Sequence, residues 1–144
     1  MSSKPHLPPP PRPQGSYRPA MAAGGLLVTA GMTPRVDGAL QYVGQVGAEI
    51  GLEEARAAAA IAAGNAVSAL AEVVGSADGI GQVLRMTVYV NAATGFTQHS
   101  AVADGASARL VELLGERGSA VRSAVGVSSL PGGACVEIEL TGSS

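Results

Sequence analysis

Arg122 and Glu137 are the two side chains whose types and spacing could do chemistry together. A planar guanidinium can hold a carboxylate through two parallel hydrogen bonds, which both anchors and orients a small acid. A carboxylate brought to the same cleft could position an attacking water or accept its proton. Both residues lie in the stretch Ser119 to Leu140. It reads as two short strands joined by a turn at Leu130-Pro131-Gly132-Gly133, because β-branched residues recur at alternate positions on either side of a Pro-Gly break. In the first run Val121, Ser123, Val125 and Val127 share one face, and Arg122, Ala124 and Gly126 share the other. In the second, Ala134, Val136, Ile138 and Leu140 form an apolar face, with Cys135, Glu137 and Glu139 opposite. The pattern predicts one greasy sheet face and one carrying a cation and two carboxylates. Arg122 then stands beside small residues in open space, and pairing of the strands across the turn brings Glu137 near the same cleft. The bare residues equally allow a structural ion pair at a subunit interface.

Other chemistries lack their residues. No metal motif, phosphate loop, dinucleotide fingerprint or nucleophile elbow occurs, so no metal and no cofactor is expected. The formal net charge is −2, with 9 Lys and Arg against 11 Asp and Glu and no basic run, which argues against a nucleic-acid partner. The single cysteine, Cys135, excludes an intrachain disulfide and fits a reducing cytoplasm. Lys4 is followed by a proline run instead of the apolar core of a secretory signal. No apolar stretch of about 20 residues runs without polar interruption, the alanine-rich helix being the nearest approach. A soluble cytoplasmic protein without a membrane partner is expected.

The elements that must position these residues follow from length and periodicity. A chain of 144 residues is one domain by the usual prior. Residues 1–14, rich in proline, read as a flexible or loosely draped tail or as a PxxP ligand, and residues 15–144 as the domain. His6 in the tail has no role assigned. Gly15 to Ala23 leads in, Leu26 to Met32 reads as a buried strand, and Thr33 to Gly44 as a hairpin turning at Asp37-Gly38. Leu52 to Val74 has helical spacing, with Glu53 and Glu54 at the positive end of the dipole and Gly75 closing the other. Asn65 is polar inside that apolar body and should tie the helix to a neighbouring loop or turn. Gln82 to Asn91 reads as a strand with Leu84, Met86, Val88 and Val90 on one face, and Phe96 to Leu114 as a second helix with His99 as a surface or capping residue. The order β, β, α, β, α, β, β predicts an α+β fold, a mixed β-sheet with two helices on one face. The uncovered face is expected to carry Val83, Thr87, Tyr89, Arg122, Cys135 and Glu137, and to be covered by self-association.

The C-terminal string, with Arg122-Ser123, the hydrophobic run to Val127, Leu130-Pro131 and Val136-Glu137-Ile138-Glu139, resembles the signature of the Rid family, the reactive intermediate deaminases also called the YjgF family. Tyr17, Val28-Thr29-Ala30-Gly31 followed by Pro34, Asn65 and Val88-Tyr89-Val90 extend the resemblance over Gly15 to Leu140, with Val46-Gly47-Ala48-Glu49 marking a less studied branch. The resemblance implies a chorismate-mutase-like fold assembled as a homotrimer with three clefts between subunits. It implies that Arg122 binds the carboxylate of a 2-imino acid, and that Glu137 places the water that hydrolyses the C=N bond to a 2-oxo acid and ammonia. It further implies that Tyr17 lines the cleft, that Gly31 lets backbone approach substrate, and that Ala124 stands where many deaminases have cysteine, keeping any carbonyl role and losing a thiol one. Ala30 and Met32-Thr33 depart from the common Thr-Ser-Gly and Gln-hydrophobic patterns, which bears on 2-iminopropanoate and 2-iminobutanoate as substrates. Some relatives carry an endoribonuclease label, which the charge balance argues against transferring. A diverged enzyme acting on another carboxylated intermediate, and a non-catalytic metabolite-binding trimer, are the alternatives.

Overall fold

With one phenylalanine and no tryptophan, the chain must fill its core with small side chains brought close together. The computed structural model describes residues 6–144. Helix α1 (Leu52–Val74) buries eight alanines from Ala55 to Ala71, among them Ala58, Ala59, Ala62, Ala63 and Ala66, all fully inaccessible. Helix α2 (His99–Leu114) lies against it so closely that a Cβ on Gly105 would collide with the Arg56 carbonyl. Glu54 reaches back to accept the Gly51 N–H at 3.0 Å, and Gly75, at φ 96°, closes the other end of α1. This helix is long and apolar enough to cross a membrane by length and composition, but 67% of its most apolar window is buried in the fold. It is the core helix.

Five strands form the main sheet: β1 (Ala20–Ala23), β2 (Leu26–Thr29), β5 (Gln82–Asn91), β6 (Val121–Val127) and β7 (Val136–Ser143), in the order β1-β2-β7-β5-β6. The pair β5 and β6 is parallel and the others antiparallel, so the sheet is mixed. Both helices cover one face, against inward-pointing Leu27, Val83, Met86, Val88, Val90, Val136, Ile138 and Leu140. The expected α+β plan, a mixed sheet with two helices on one face, holds.

Several local expectations do not. The lead-in contains an edge strand, β1, joined to β2 by Gly24-Gly25, both at positive φ, a two-residue turn whose sequence signal was present. The strand read over Leu26 to Met32 ends at Thr29 and is buried on one side only: Leu27 is inaccessible, whereas Leu26 and Val28 are 49% and 39% exposed. The hairpin does form where expected, turning at Asp37 (φ 52°) and Gly38 (φ 82°), but its strands are short, β3 (Arg35–Val36) and β4 (Ala39–Leu40). A bulge between Val83 and Arg85 reverses the expected facing at the start of β5, burying Val83 and exposing Leu84. The second helix begins at His99, not Phe96.

The largest correction concerns β6 and β7. They do not pair, because the link from Ser128 to Cys135 crosses the end of β5 and delivers β7 to its far side. Asn91 holds that crossing, its backbone N–H donating to Cys135 O at 2.9 Å and its Nδ2 to Ala134 O at 3.0 Å. Cys135 is consequently inaccessible and not on the uncovered face, and burial pushes its thiol up to about 11.

The expectation for the tail reaches Met1 to Pro5, outside the described residues. Among the described residues of the segment, Leu7 packs against the core, Pro8 lies over Gly64, and Ser68 Oγ donates to Pro8 O at 2.6 Å.

Asn65 does tie helix to turn. Its Nδ2 donates to Thr33 O at 3.1 Å and Arg35 O at 2.9 Å, while the residue is 5% exposed. Asn65→Ala strands both carbonyls and should destabilise the fold by about 1–3 kcal/mol in equilibrium urea unfolding. A change below the error of that measurement would show that these bonds contribute nothing net.

Candidate functional site

Glu137 is positioned by the centre of the sheet. On β7 it stands opposite Tyr89 of β5, facing away from the helices. On its other side the chain from Thr29 to Met32 runs alongside β7, where the register slips by one residue between the pairs Val28–Thr141 and Met32–Ile138. Thr29 Oγ1 fills the slip by accepting the Leu140 N–H at 3.0 Å, and Met32 exchanges two backbone hydrogen bonds with Ile138, at 2.7 and 2.9 Å. The slip places Gly31 against the Glu137 carboxyl so tightly that a Cβ there would collide with Oε2. Only glycine leaves the carboxyl in its place.

Glu137 is half-buried, and burial followed by repulsion from Glu139 raises its pKa above the usual carboxylate range. Tyr89 O–H donates to Glu139 Oε1 at 2.7 Å, and that bond, ahead of burial, raises the tyrosine pKa. Two carboxyls and a phenol therefore share one patch of the open face. Glu139 was readable as a same-face neighbour of Glu137 from alternation along the strand; that Tyr89 stands opposite Glu137 follows only from the register of β5 on β7, which no local pattern supplies.

Arg122 is elsewhere. It pairs with Met86 across β6 and β5, and Met86 is buried under the helices, so the arginine points to the helix side of the sheet. There it is fastened to α2: Nη1 donates to Asp104 Oδ1 at 2.8 Å and Ser107 Oγ at 2.9 Å, and Nη2 to Ser100 Oγ at 2.7 Å and Ser100 O at 3.2 Å. The expected open space around it and its meeting with Glu137 within one chain are both overturned. The alternation within each strand was right; the faces of the two strands were matched the wrong way round. Ala124, also on the helix side, is half-buried against Val88.

Tyr17 precedes β1 by three residues and is 47% exposed, its hydroxyl accepting the Gln14 backbone N–H at 3.0 Å. Pro19 O accepts the Ala30 N–H at 2.8 Å, which ties this lead-in to the segment containing Gly31. One chain thus brings Gly31 and Glu137 together, keeps Tyr17 on the adjoining lead-in, and carries Arg122 and Ala124 on the opposite face of an edge strand. Among the described residues no group of three or more His, Cys, Asp or Glu side chains could hold a metal.

The open face carries apolar side chains as well. Met21, Leu26, Val28, Leu84, Val121 and Val125 are each 39–60% exposed. They flank the Glu137 patch on both sides.

A family model described as "YjgF/chorismate_mutase-like, putative endoribonuclease" matches residues 5–138. The chain belongs to this family. Protein TCP17 of Trypanosoma cruzi is 36% identical over 128 residues, covering 88% of this chain and 80% of that one. A solved structure from Shewanella oneidensis MR-1, named as a putative endoribonuclease, superposes with a TM-score of 0.91 at 30% identity, covering 96% of this chain and 92% of the other. Atu1372 of Agrobacterium tumefaciens, a protein of unknown function, gives 0.85 at 32% identity, covering 89% and 81%.

The raised pKa of Glu137 has a thermodynamic signature. A carboxyl whose folded pKa lies above its unfolded value adds stability at low pH, and that contribution is lost as pH rises through the folded value. Glu137→Gln cannot ionise and escapes the loss. The variant should therefore melt a few degrees above wild type at pH 7, roughly 2–4 °C, and the gap should close below about pH 4. A gap that widens on acidification would reverse the sign of the shift.

Proposed function

We propose that this family member hydrolyses small 2-imino acids to 2-oxo acids and ammonia, at a site built between subunits of a homotrimer. The observation that supports this reading most is Glu137, half-buried with a raised pKa and set against the bare backbone of Gly31. A carboxyl titrating closer to neutrality can take a proton from water and return it to a departing nitrogen. Water adds to the carbon of the protonated imine (C=NH2+) while the Glu137 carboxylate accepts its proton, giving a neutral carbinolamine. Glu137 returns that proton to nitrogen; the C–N bond then breaks to release ammonia as the hydroxyl proton passes back to the Glu137 carboxylate and the carbonyl of the 2-oxo acid forms. The imine carbon is already electrophilic, so placement of substrate and water is the main demand.

The anchor in this reading is Arg122 from a neighbouring subunit, since in its own chain it lies on the other side of the sheet from Glu137. The apolar side chains flanking the Glu137 patch give self-association a surface to bury. Asp104 is 57% exposed, and so exposed an ion pair is worth little in water. A substrate carboxylate can displace it while Ser100 and Ser107 keep the guanidinium oriented. Tyr17 and the Gly31 backbone would border the substrate, and Ala124 would contribute its main chain alone. Phosphodiester cleavage fits less well, because Glu137 and Glu139 repel a phosphate at the same patch. A reducing, cytoplasmic setting suits both the chemistry and the buried free thiol.

The test supplies 2-imino acids generated in situ by an amino-acid oxidase, with semicarbazide trapping and ammonia release as readouts. Wild type should accelerate hydrolysis. Arg122→Ala and Glu137→Gln should each lower kcat/KM on the order of 100-fold while sedimentation still shows a trimer. A folded trimer that accelerates nothing over a range of side chains removes the deaminase reading. An Arg122→Ala variant that falls apart into monomers makes the arginine a structural residue.

A further inference from the structure

The proline-rich segment roofs a second cavity, on the helix side of the fold. Proline has no N–H and a fixed φ, so Pro8 to Pro11 crosses α1 as an extended strap. Its Pro8 O accepts from Ser68 Oγ at 2.6 Å, and just upstream His6 O accepts from Arg109 Nη2 at 3.4 Å. Between the strap, the β3–β4 turn and the outer surface of α1 lies a space of about 660 Å³. That is the size of a small-molecule site. It lies against α1, on the layer opposite the face that carries Glu137, and shares none of that site's residues.

Its chemistry is two-sided. Ala60, Ile61 and Gly64 of α1 and the proline rings opposite them give apolar walls with no side-chain donor. Three arginines, Arg12, Arg35 and Arg109, line the same space against one carboxylate, Asp37. The ion pairs among the described residues join Arg56 to Glu53, Arg109 to Glu112 and Arg122 to Asp104. Arg12 and Arg35 are left without a carboxylate. Arg35 is held at one end, Nη1 donating to Gly38 O at 2.8 Å, and its Nε is buried with no acceptor at all. A buried N–H in that state is unfavourable, and the residue that carries it lines the cavity, where an acid group can meet its guanidinium.

We propose that the strap cavity binds a small carboxylate with an apolar body, the body resting on Ala60 and Ile61 and the acid group between Arg12 and Arg35. Neutral apolar molecules fill the same walls but leave both cations unmet. The acid group therefore decides affinity.

The full chain, labelled with 15N, is titrated with 2-naphthoate and, separately, with the neutral 2-naphthylmethanol. Saturable amide shifts for 2-naphthoate should centre on Val36, Gly38, Ile61 and Gly64, and the alcohol should bind roughly tenfold more weakly, as expected for one charge-assisted hydrogen bond. The double variant Arg12→Gln, Arg35→Gln should lose about the same tenfold for the acid and nothing for the alcohol. Ala60→Phe, which fills the floor, should abolish the shifts for both. Equal affinities for acid and alcohol, shifts centred on Gly31 and Glu137, or no saturable shift at millimolar ligand would each overturn the proposal. The comparison of acid with alcohol is made on wild type, so it stands even if a variant misfolds. It is also independent of imine turnover.

Discussion

The structure depends on backbones lying closer together than large side chains would allow. A core of alanine and valine gains enough contact only when its layers approach, because dispersion falls steeply with a gap of even a fraction of an ångström. The chain meets that demand with glycine at the tightest points. Gly105 rests on the Arg56 carbonyl where α2 crosses α1, and Gly118 lies equally close to Leu110 O below the end of α2. The same device recurs in the candidate site, where Gly31 lies flush against a carboxyl. A side chain at either of the first two would part the helix layer, and one at Gly31 would evict Glu137. Packing and chemistry rest on one economy of volume.

That economy also explains the orientation of Arg122. An edge strand lying under a closely set helix can turn only small residues inward, and β6 turns in Ala124 and Gly126. Arg122 shares their parity and follows them to the helix side, where the polar first turns of α2 receive it through Ser100, Asp104 and Ser107. Val121 and Val125 are left facing outward, 60% and 43% exposed. In a lone chain this is an inverted strand, with its apolar residues in water and its cation half-buried. Self-association through the outward face, as proposed, would give those valines cover.

Much of this was legible in the sequence, and the gaps have physical causes. Both helices, the strand Gln82 to Asn91 and the role of Asn65 followed from local spacing, since a polar residue inside an apolar helix must find partners. The Asp37-Gly38 turn followed from two residues that tolerate positive φ. The site was half legible. Glu137 was read on the open face, where it stands; its contact with Gly31 was not foreseen, and Arg122 was assigned to the wrong side, because alternation fixes parity within a strand and not which parity faces the core. Valines at alternate positions normally mark the buried side; in β6 they mark the exposed one. The crossing of β5 by the Ser128 to Cys135 link was equally invisible, being held by Asn91, whose bonds reach residues more than forty positions away.

The place of β7 in the sheet has a consequence for how the protein is made. β7 is the last described element along the chain, yet it fills the slot between β2 and β5 and carries the carboxyl of the candidate site. During synthesis the ribosome delivers everything from β1 to β6 before the strand that joins them. Until it arrives, β2 and β5 each present an unpaired edge, and the alanine faces of the helices have no completed sheet to lie on. The nascent chain cannot close its core while β1 to β6 emerge; it stays partly open until β7 follows and inserts at the centre. Until then the open edges of β2 and β5 are templates on which other chains can pair.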